Sequence, residues 1–432
     1  MFIRRHHFLA LFAAAALASC GGGGGGGGNA KIRLLNLSTG YSSLDLITNL
    51  EADDNDEDKT QSSGVALESA SSYVDLDPDK YTIKLKRTGS GSVLRSFSGE
   101  ELVEDTINTY VAYGEVGAFG ALRLDDTQDA ADAGETKLSV ANLSSAGNVD
   151  VYITAADVDL PDTTPVVSSV GAAFISLSVD SGTFRLRVTA AGDSTDVRLD
   201  VPSFTLPDKG VAALIFTSTQ GGTLANAIYM PQEGAPTKLT NTKSRVRAAI
   251  AVANGASASV QVGGVSVLAA ATAGVISSRY KLLDSGSQAV GVQVNGTPIT
   301  APNVSLTAGA DYTLLVWSNG SGTQTSLLVD DNRLPSTSGQ AKLRLLNGMS
   351  TLAVPLTLSL DNSPVIEGTL TGQVSDPVEV LSGSDNQFDI SNTSTAANIL
   401  TKTGLTLQGA SVYTFFMTDN GGTPIGVLRR DR

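Results

Sequence analysis

The sequence predicts an all-β protein of four tandem antiparallel β-sandwich units. Three observations carry that expectation. An opening segment recurs at domain-sized intervals, the same landmarks follow each copy in the same order, and helical periodicity is almost absent. Composition agrees, because aromatics make up only 5% and charged residues 17%, with abundant Ser, Thr, Gly and Val. That is the balance of an exported β protein with polar turns.

Residues 1–19 read as a lipoprotein signal peptide. Arg4 and Arg5 form a positive start, an apolar run follows from Phe8 to Leu17, and small residues precede Cys20. A cysteine directly after Leu17-Ala18-Ser19 resembles the lipobox of bacterial lipoproteins. That resemblance implies cleavage before Cys20 and acylation of its thiol, by palmitate among other chains. Residues 20–29 then form a tether, whose eight glycines, Gly21 to Gly28, have a root-mean-square reach of ~16 Å. Gly21 stands where an aspartate commonly signals inner-membrane retention, so the expected address in a diderm host is the outer membrane.

The repeat organises the rest. Ala30-Lys31-Ile32-Arg33-Leu34-Leu35-Asn36 returns as Ala341-Lys342-Leu343-Arg344-Leu345-Leu346-Asn347. Weaker copies are Thr136-Lys137-Leu138-Ser139-Val140-Ala141-Asn142 and Ser244-Arg245-Val246-Arg247. The starts at Lys31, Lys137, Arg245 and Lys342 lie 106, 108 and 97 residues apart, which is a domain length. The units are placed at 30–126, 136–232, 244–332 and 341–432, with polar linkers near 127–136, 231–244 and 333–340.

Within each unit a turn leads into a central strand. The turns are Asp79-Lys80, Ser181-Gly182, Ser285-Gly286 and Ser382-Gly383. In the first two of these strands apolar and charged residues alternate, so one face is buried and the other wet. A late landmark follows at Asn108-Thr109-Tyr110, Asp311-Tyr312-Thr313 and Val412-Tyr413-Thr414, with Val211-Ala212-Ala213 in the second unit. Tyr312 and Tyr413 are candidates for tyrosine corners, whose hydroxyl ties a loop to the backbone. A small barrel of similar strand count is the alternative architecture. Four units end to end would reach on the order of 130 Å at ~33 Å per ten-residue strand. Flexible linkers would fold the array back, and the sequence leaves that choice open.

Cleavage before Cys20 also removes His6 and His7, the only histidines, and Cys20 is the only cysteine. The mature chain would then lack the imidazole of nucleophile–histidine sites and the nitrogen or sulfur ligands of zinc, copper and haem sites. Disulfides within it are excluded, so each unit rests on its own core. Loss of Arg4 and Arg5 takes the net charge from −14 to −16, which disfavours nucleic acid. Beyond the signal, the Ala- and Val-rich stretch 248–276 is too interrupted by Asn254, serines and Gly263-Gly264 to span a membrane.

Oxygen-ligand metals and carboxylate pairs stay open. Asp53, Asp54, Asp56 and Asp58 alternate closely enough to gather around calcium, although the segment lacks an EF-hand's glycine and distal glutamate. A solvated insertion is the plainer reading. Asp125-Asp126 and Asp330-Asp331 stand where one unit hands over to the next, where calcium or an ordinary acidic turn would suit them. No motif places the facing carboxylate pair of a glycosidase. Trp317, the only tryptophan, reads as strand packing, since sugar-binding faces usually offer several aromatic platforms. Gly89-Ser90-Gly91 and Asn319-Gly320-Ser321-Gly322 read as hairpin turns, because neither leads into a helix that could hold a phosphate.

The opening Lys31-x-Arg33-x-x-Asn36, the central Gly182-Thr183-Phe184 or Lys80-Tyr81 strands, and the late Tyr312-Thr313 and Tyr413-Thr414 resemble the bacterial Domain of Unknown Function 4397 family. The resemblance covers nearly all of residues 31–432. It departs most at Ile250, which stands at the asparagine position, and in the second unit, which lacks the late tyrosine. It implies immunoglobulin-like sandwiches in tandem, exported and frequently lipid-anchored, and it transfers no site residues. The expected function is a non-catalytic envelope protein, anchored through lipid and acting as a spacer or as a binding and adhesion array toward protein or glycan partners. The alternative is a carboxylate-based enzyme or carbohydrate-binding accessory. No cofactor beyond calcium is expected, and oligomeric state is left open.

Overall fold

A computed structural model describes residues 28–51, 57–252 and 255–432. Cys20, Leu17, Ala18 and Ser19, together with Asp53, Asp54 and Asp56, lie outside the described residues. The described residues contain strands and no helix. Each unit is two sheets face to face, and the separate sheets do not close into a barrel.

The first unit shows the plan. One sheet carries Ala30–Leu37 beside Ile107–Tyr113 and Gly120–Asp125, and the other carries Lys59–Ala66, Ser43–Leu50, Asp79–Arg87 and Val93–Leu102 in that order. In the opening strand Ala30, Ile32 and Leu34 point into the unit's own core, as a side-chain period of two requires. Four such cores exist, one per unit. The third unit adds a short ladder, Gly286–Gln288 with Val304–Leu306.

One feature corrects the purely antiparallel expectation. In all four units the opening strand runs parallel to the late strand, pairing Arg33 with Thr109, Ser139 with Ala213, Arg247 with Thr313 and Arg344 with Thr414. A parallel pair needs a long crossover, and here the whole second sheet supplies it. The stretch 231–244 is also more than a linker. Thr237–Leu239 adds an edge strand to the second unit by pairing with Ala227 to Tyr229, and Asn241 then accepts from the Lys243 amide at 2.9 Å as the next unit begins.

The tyrosine corners form as expected. The Thr307 amide donates to the Tyr312 hydroxyl, and the Gln408 amide to the Tyr413 hydroxyl, each at 3.0 Å. Strand register corrects the alignment of the first unit, where Asn108, not Tyr110, occupies the equivalent position. A shift of two residues keeps a side chain on the same face, so Tyr110 is still fully buried in the core. The opening asparagine has one job in three units. Asn36, Asn142 and Asn347 each accept from the amide two residues on and donate to carbonyls across the sheets, at Val65, Val170 and Thr369 respectively.

The outward faces of the opening strands are not wet. Leu35, Leu37, Val111 and Leu124 of the first unit pack on Ala141, Ala213, Ile215, Ile228 and Met230 of the second. Ala249, Ala251, Leu315 and Leu328 of the third pack on Leu346 and Phe416 of the fourth. Units two and three also touch, the Gly221 amide donating to the Gly309 carbonyl at 2.9 Å. Arg333 reaches back from the last junction to Glu115 of the first unit, at 3.3 Å. The units are docked, so the extended 130 Å array is not the form adopted.

Candidate functional site

The outward face of the opening strand carries, in three of the four units, one residue that ought not to be buried, and it supplies the most distinctive chemistry in the molecule. Arg33, Arg247 and Arg344 occupy the third position of the repeat, and all three are at most 3% exposed. Each guanidinium Nε donates at 2.8 Å to the hydroxyl of the threonine beside it on the late strand, Thr109, Thr313 or Thr414. Each threonine hydroxyl in turn donates to an aspartate 17 residues further on, Asp126, Asp330 or Asp431. The constant spacing follows from the closing hairpin, which folds the end of the last strand back beside the threonine. Tyr73 and Tyr280 complete the cluster in units one and three. Their hydroxyls donate to the aspartates at 2.9 and 2.7 Å, and their rings lie 4.3 and 4.8 Å from the guanidinium carbons.

Where units three and four meet, two clusters exchange partners. Arg247 of the third unit pairs with Asp431 of the fourth, and Arg344 of the fourth pairs with Asp330 of the third at 3.2 Å. Arg247 also donates to Thr414 at 3.1 Å. Two cations and two anions, each side chain at most 2% exposed, therefore balance across one junction. Burial opposes the charged form of Asp431, but Arg247 and Arg344 outweigh it and hold the carboxyl below its usual range. Burial likewise works against the charge on Arg247 and Arg344, and the aspartates more than restore it. Tyr280 is pushed well above its ordinary value by burial, with Asp330 adding to the effect, and stays neutral.

The first junction holds one cluster alone. In the second unit the arginine, threonine, tyrosine and aspartate positions carry Ser139, Ala213, Ser176 and Gln232. Arg33 there donates to the Gly234 carbonyl at 2.7 Å and lies against the Met230 sulfur.

The arrangement binds units together and offers no poised acid or base. Each aspartate of the clusters accepts from at least two protein donors and has a positive partner within hydrogen-bonding range. The sequence-predicted acids are engaged in the same way. Asp58 lies between the Lys84 and Lys86 ammonium groups at 2.5 and 2.6 Å, which hold its carboxyl below the usual range. Asp331 bonds Arg333 and Lys342; burial opposes its charge, yet those partners bring its pKa down to about 2. Asp125 caps the turn at Thr127. Arginine and lysine side chains, hydroxyls and backbone amides of this chain bond the junction acids. Among the described residues no three side chains of metal-ligating type gather.

Trp317 also belongs to a junction. Its indole N–H donates to Ser326 at 3.0 Å, and its ring lies so close to Gly372 of the fourth unit that a Cβ there would come within 2.5 Å. Gly372 has φ +79°, so the backbone conformation and the contact both require glycine. Gly89 and the Asn319–Gly322 pair do turn hairpins, as expected.

Fold and cluster together define a class: tandem β-sandwich proteins whose units are joined face to face through buried ionic clusters. The chain belongs to the family described as a domain of unknown function (DUF4397), whose model matches residues 30–152 and 244–354, a little over half of the chain. Each matched stretch takes in one whole unit and runs into the opening strands of the next, so it spans a docked pair's junction. No curated protein matches the chain.

Proposed function

We propose that this is a non-catalytic, lipid-anchored protein of the cell envelope that presents docked sandwich units as one stiff body. The observation that carries the reading is the use made of buried charge. The deeply buried Arg–Asp sets of units one, three and four are spent within or between units, each carboxylate taken up by an arginine and a threonine. A charge neutralised in a dry interior fixes geometry and has little to offer chemistry. The signal-like start, Cys20 and the glycine tether support the anchor, and the outer membrane is the address they favour. The enzyme reading draws less support, because the acids at the junctions are already bonded to arginine, lysine, threonine or tyrosine.

The test is metabolic labelling with palmitate and fractionation of cells expressing the native chain and Cys20→Ala. The expected result is label and membrane association in the first, and neither in the second. A Cys20→Ala protein that still fractionates with membrane would sink the anchor.

A further inference from the structure

One cavity in the molecule gathers four arginines. It has a volume of about 240 Å³ and opens where units two, three and four meet. Arg245, Arg247, Arg279 and Arg430 line it, with Tyr280 and Ser278 between them. Three carboxylates share the lining, Asp193, Asp196 and Asp431. In a chain of net charge −14, a cavity with more guanidinium groups than carboxylates is against the trend.

The acids are already satisfied. Asp193 accepts from the Thr195 amide and hydroxyl at 3.0 and 2.5 Å, Asp196 from Arg198 at 2.6 Å, and Asp431 from Arg247, Arg344 and Thr414. Arg245 is spent on Asp311, through two bonds of 2.8 and 2.6 Å. The donors left over belong to Arg279 and Arg430. Arg279 makes one long bond, 3.4 Å, to Thr195, and Arg430 bonds the Gln408 side chain and the Arg432 carbonyl. Neither is in an ion pair with an aspartate or glutamate side chain among the described residues, although the charge of Arg279 acts on Asp193.

A second, independent observation lies just behind the lining. Arg198 is only 8% exposed, yet its Nε–H has no hydrogen-bond partner. Beside it Arg432 donates to the carbonyls of Gly222, Asn332 and Ser145 and meets no carboxylate directly. Its pKa is lowered to about 9, by burial first and then by the charges of Arg198 and Arg245. The field in this corner is short of negative charge.

We propose that the cavity binds a phosphate group, free or at the end of a small molecule, held by Arg279 and Arg430 with Ser278 beside them. Arginine suits this ligand, since its planar donors meet two phosphate oxygens at once, and its charge does not titrate away. The volume fits such a group with a few waters, at roughly 30 Å³ per water. The holding residues come from units three and four, so occupancy would also clamp unit four onto unit three. This inference does not rest on the anchor, because the cavity lies wholly in the docked units.

The test is isothermal titration of the full chain with inorganic phosphate and, separately, with a hexose monophosphate, at constant ionic strength held with chloride. Binding of either supports the proposal, and the tighter of the two identifies a free or a terminal group. Arg279→Gln with Arg430→Gln should weaken binding at least tenfold, while Trp317 emission stays native to show that the junctions persist. Absence of heat with both ligands at 20-fold excess over millimolar protein overturns the proposal. So does binding that the double variant leaves unchanged.

Discussion

Substituting Asp431 by asparagine removes one of two negative charges from a junction that holds two arginines. Arg247 and Arg344 are each 2% exposed in their side chains and both bond Asp431, which itself has none of its side chain exposed. Asp330 is the carboxylate that remains, 3.2 Å from Arg344 and 3.6 Å from Arg247. One guanidinium charge is thus left uncompensated in a dry interior, a loss of about 3–5 kcal/mol. For a cooperative pair of units of about 200 residues, at ~2–4 °C per kcal/mol, the melting point should fall by roughly 6–20 °C. Arg247→Met combined with Asp431→Leu removes one charge of each sign and leaves Arg344 facing Asp330. The double variant should therefore be more stable than the sum of its parts, with a coupling of at least ~2 kcal/mol. The assay is thermal and urea unfolding followed by Trp317 emission, since the sole tryptophan sits at this junction. Additive losses would refute the exchange of partners between units three and four. So would a fall of less than ~1 kcal/mol for Asp431→Asn, the value of an exposed pair.

Other outcomes follow from the same geometry. Gly372→Ala places a methyl group 2.5 Å from the Trp317 ring at φ +79°, so it should cost ~1–3 kcal/mol and shift Trp317 emission to the red as unit four separates. Tyr413→Phe leaves the Gln408 amide without its acceptor; a loss of ~1–2 kcal/mol is expected in chemical unfolding, against none for a neutral surface change such as Thr401→Ser. Acid should loosen the junctions in a defined window. Asp331 lies at about 2 against an ordinary 3.8, and Asp431 is also depressed, so the unfolded chain takes up protons first as pH falls. Their stabilisation is complete above about pH 4 and is lost progressively as pH drops toward 2. Melting points flat from pH 6 to pH 2.5 would contradict this.

Much of the fold could be read in the residues, and the reason is local. The Tyr81, Ile83 and Leu85 alternation, the Gly-rich hairpins and the Tyr312 and Tyr413 corners are set by neighbours within one unit, so their signals sit close together in the chain. The docking was harder to see because its signal is an excess rather than a pattern. Leu35, Leu37 and Val111 are apolar on a face that an isolated sandwich would wet, and the resulting unbroken apolar run marks a strand buried on both faces. The Arg–Thr–Asp cluster carried a usable signal in the constant 17-residue step from Thr109, Thr313 and Thr414 to their aspartates. It stayed hidden because the aspartates look like ordinary acidic turns, and because the parallel pairing that brings arginine beside threonine joins positions 66 to 76 residues apart. The exchange of Asp330 and Asp431 between units has no sequence signature at all, since it depends on how two finished sheets meet.

Small-angle scattering of the chain from residue 28 onward tests the docked arrangement most directly. Four units in a straight line of ~130 Å would give a radius of gyration of roughly 38 Å, whereas a fully compact chain of this length gives about 22 Å. Docked units give a value clearly below 38 Å that rises when Asp330→Asn and Asp431→Asn are combined. A native radius of 38 Å or more, unchanged in the double variant, would contradict it.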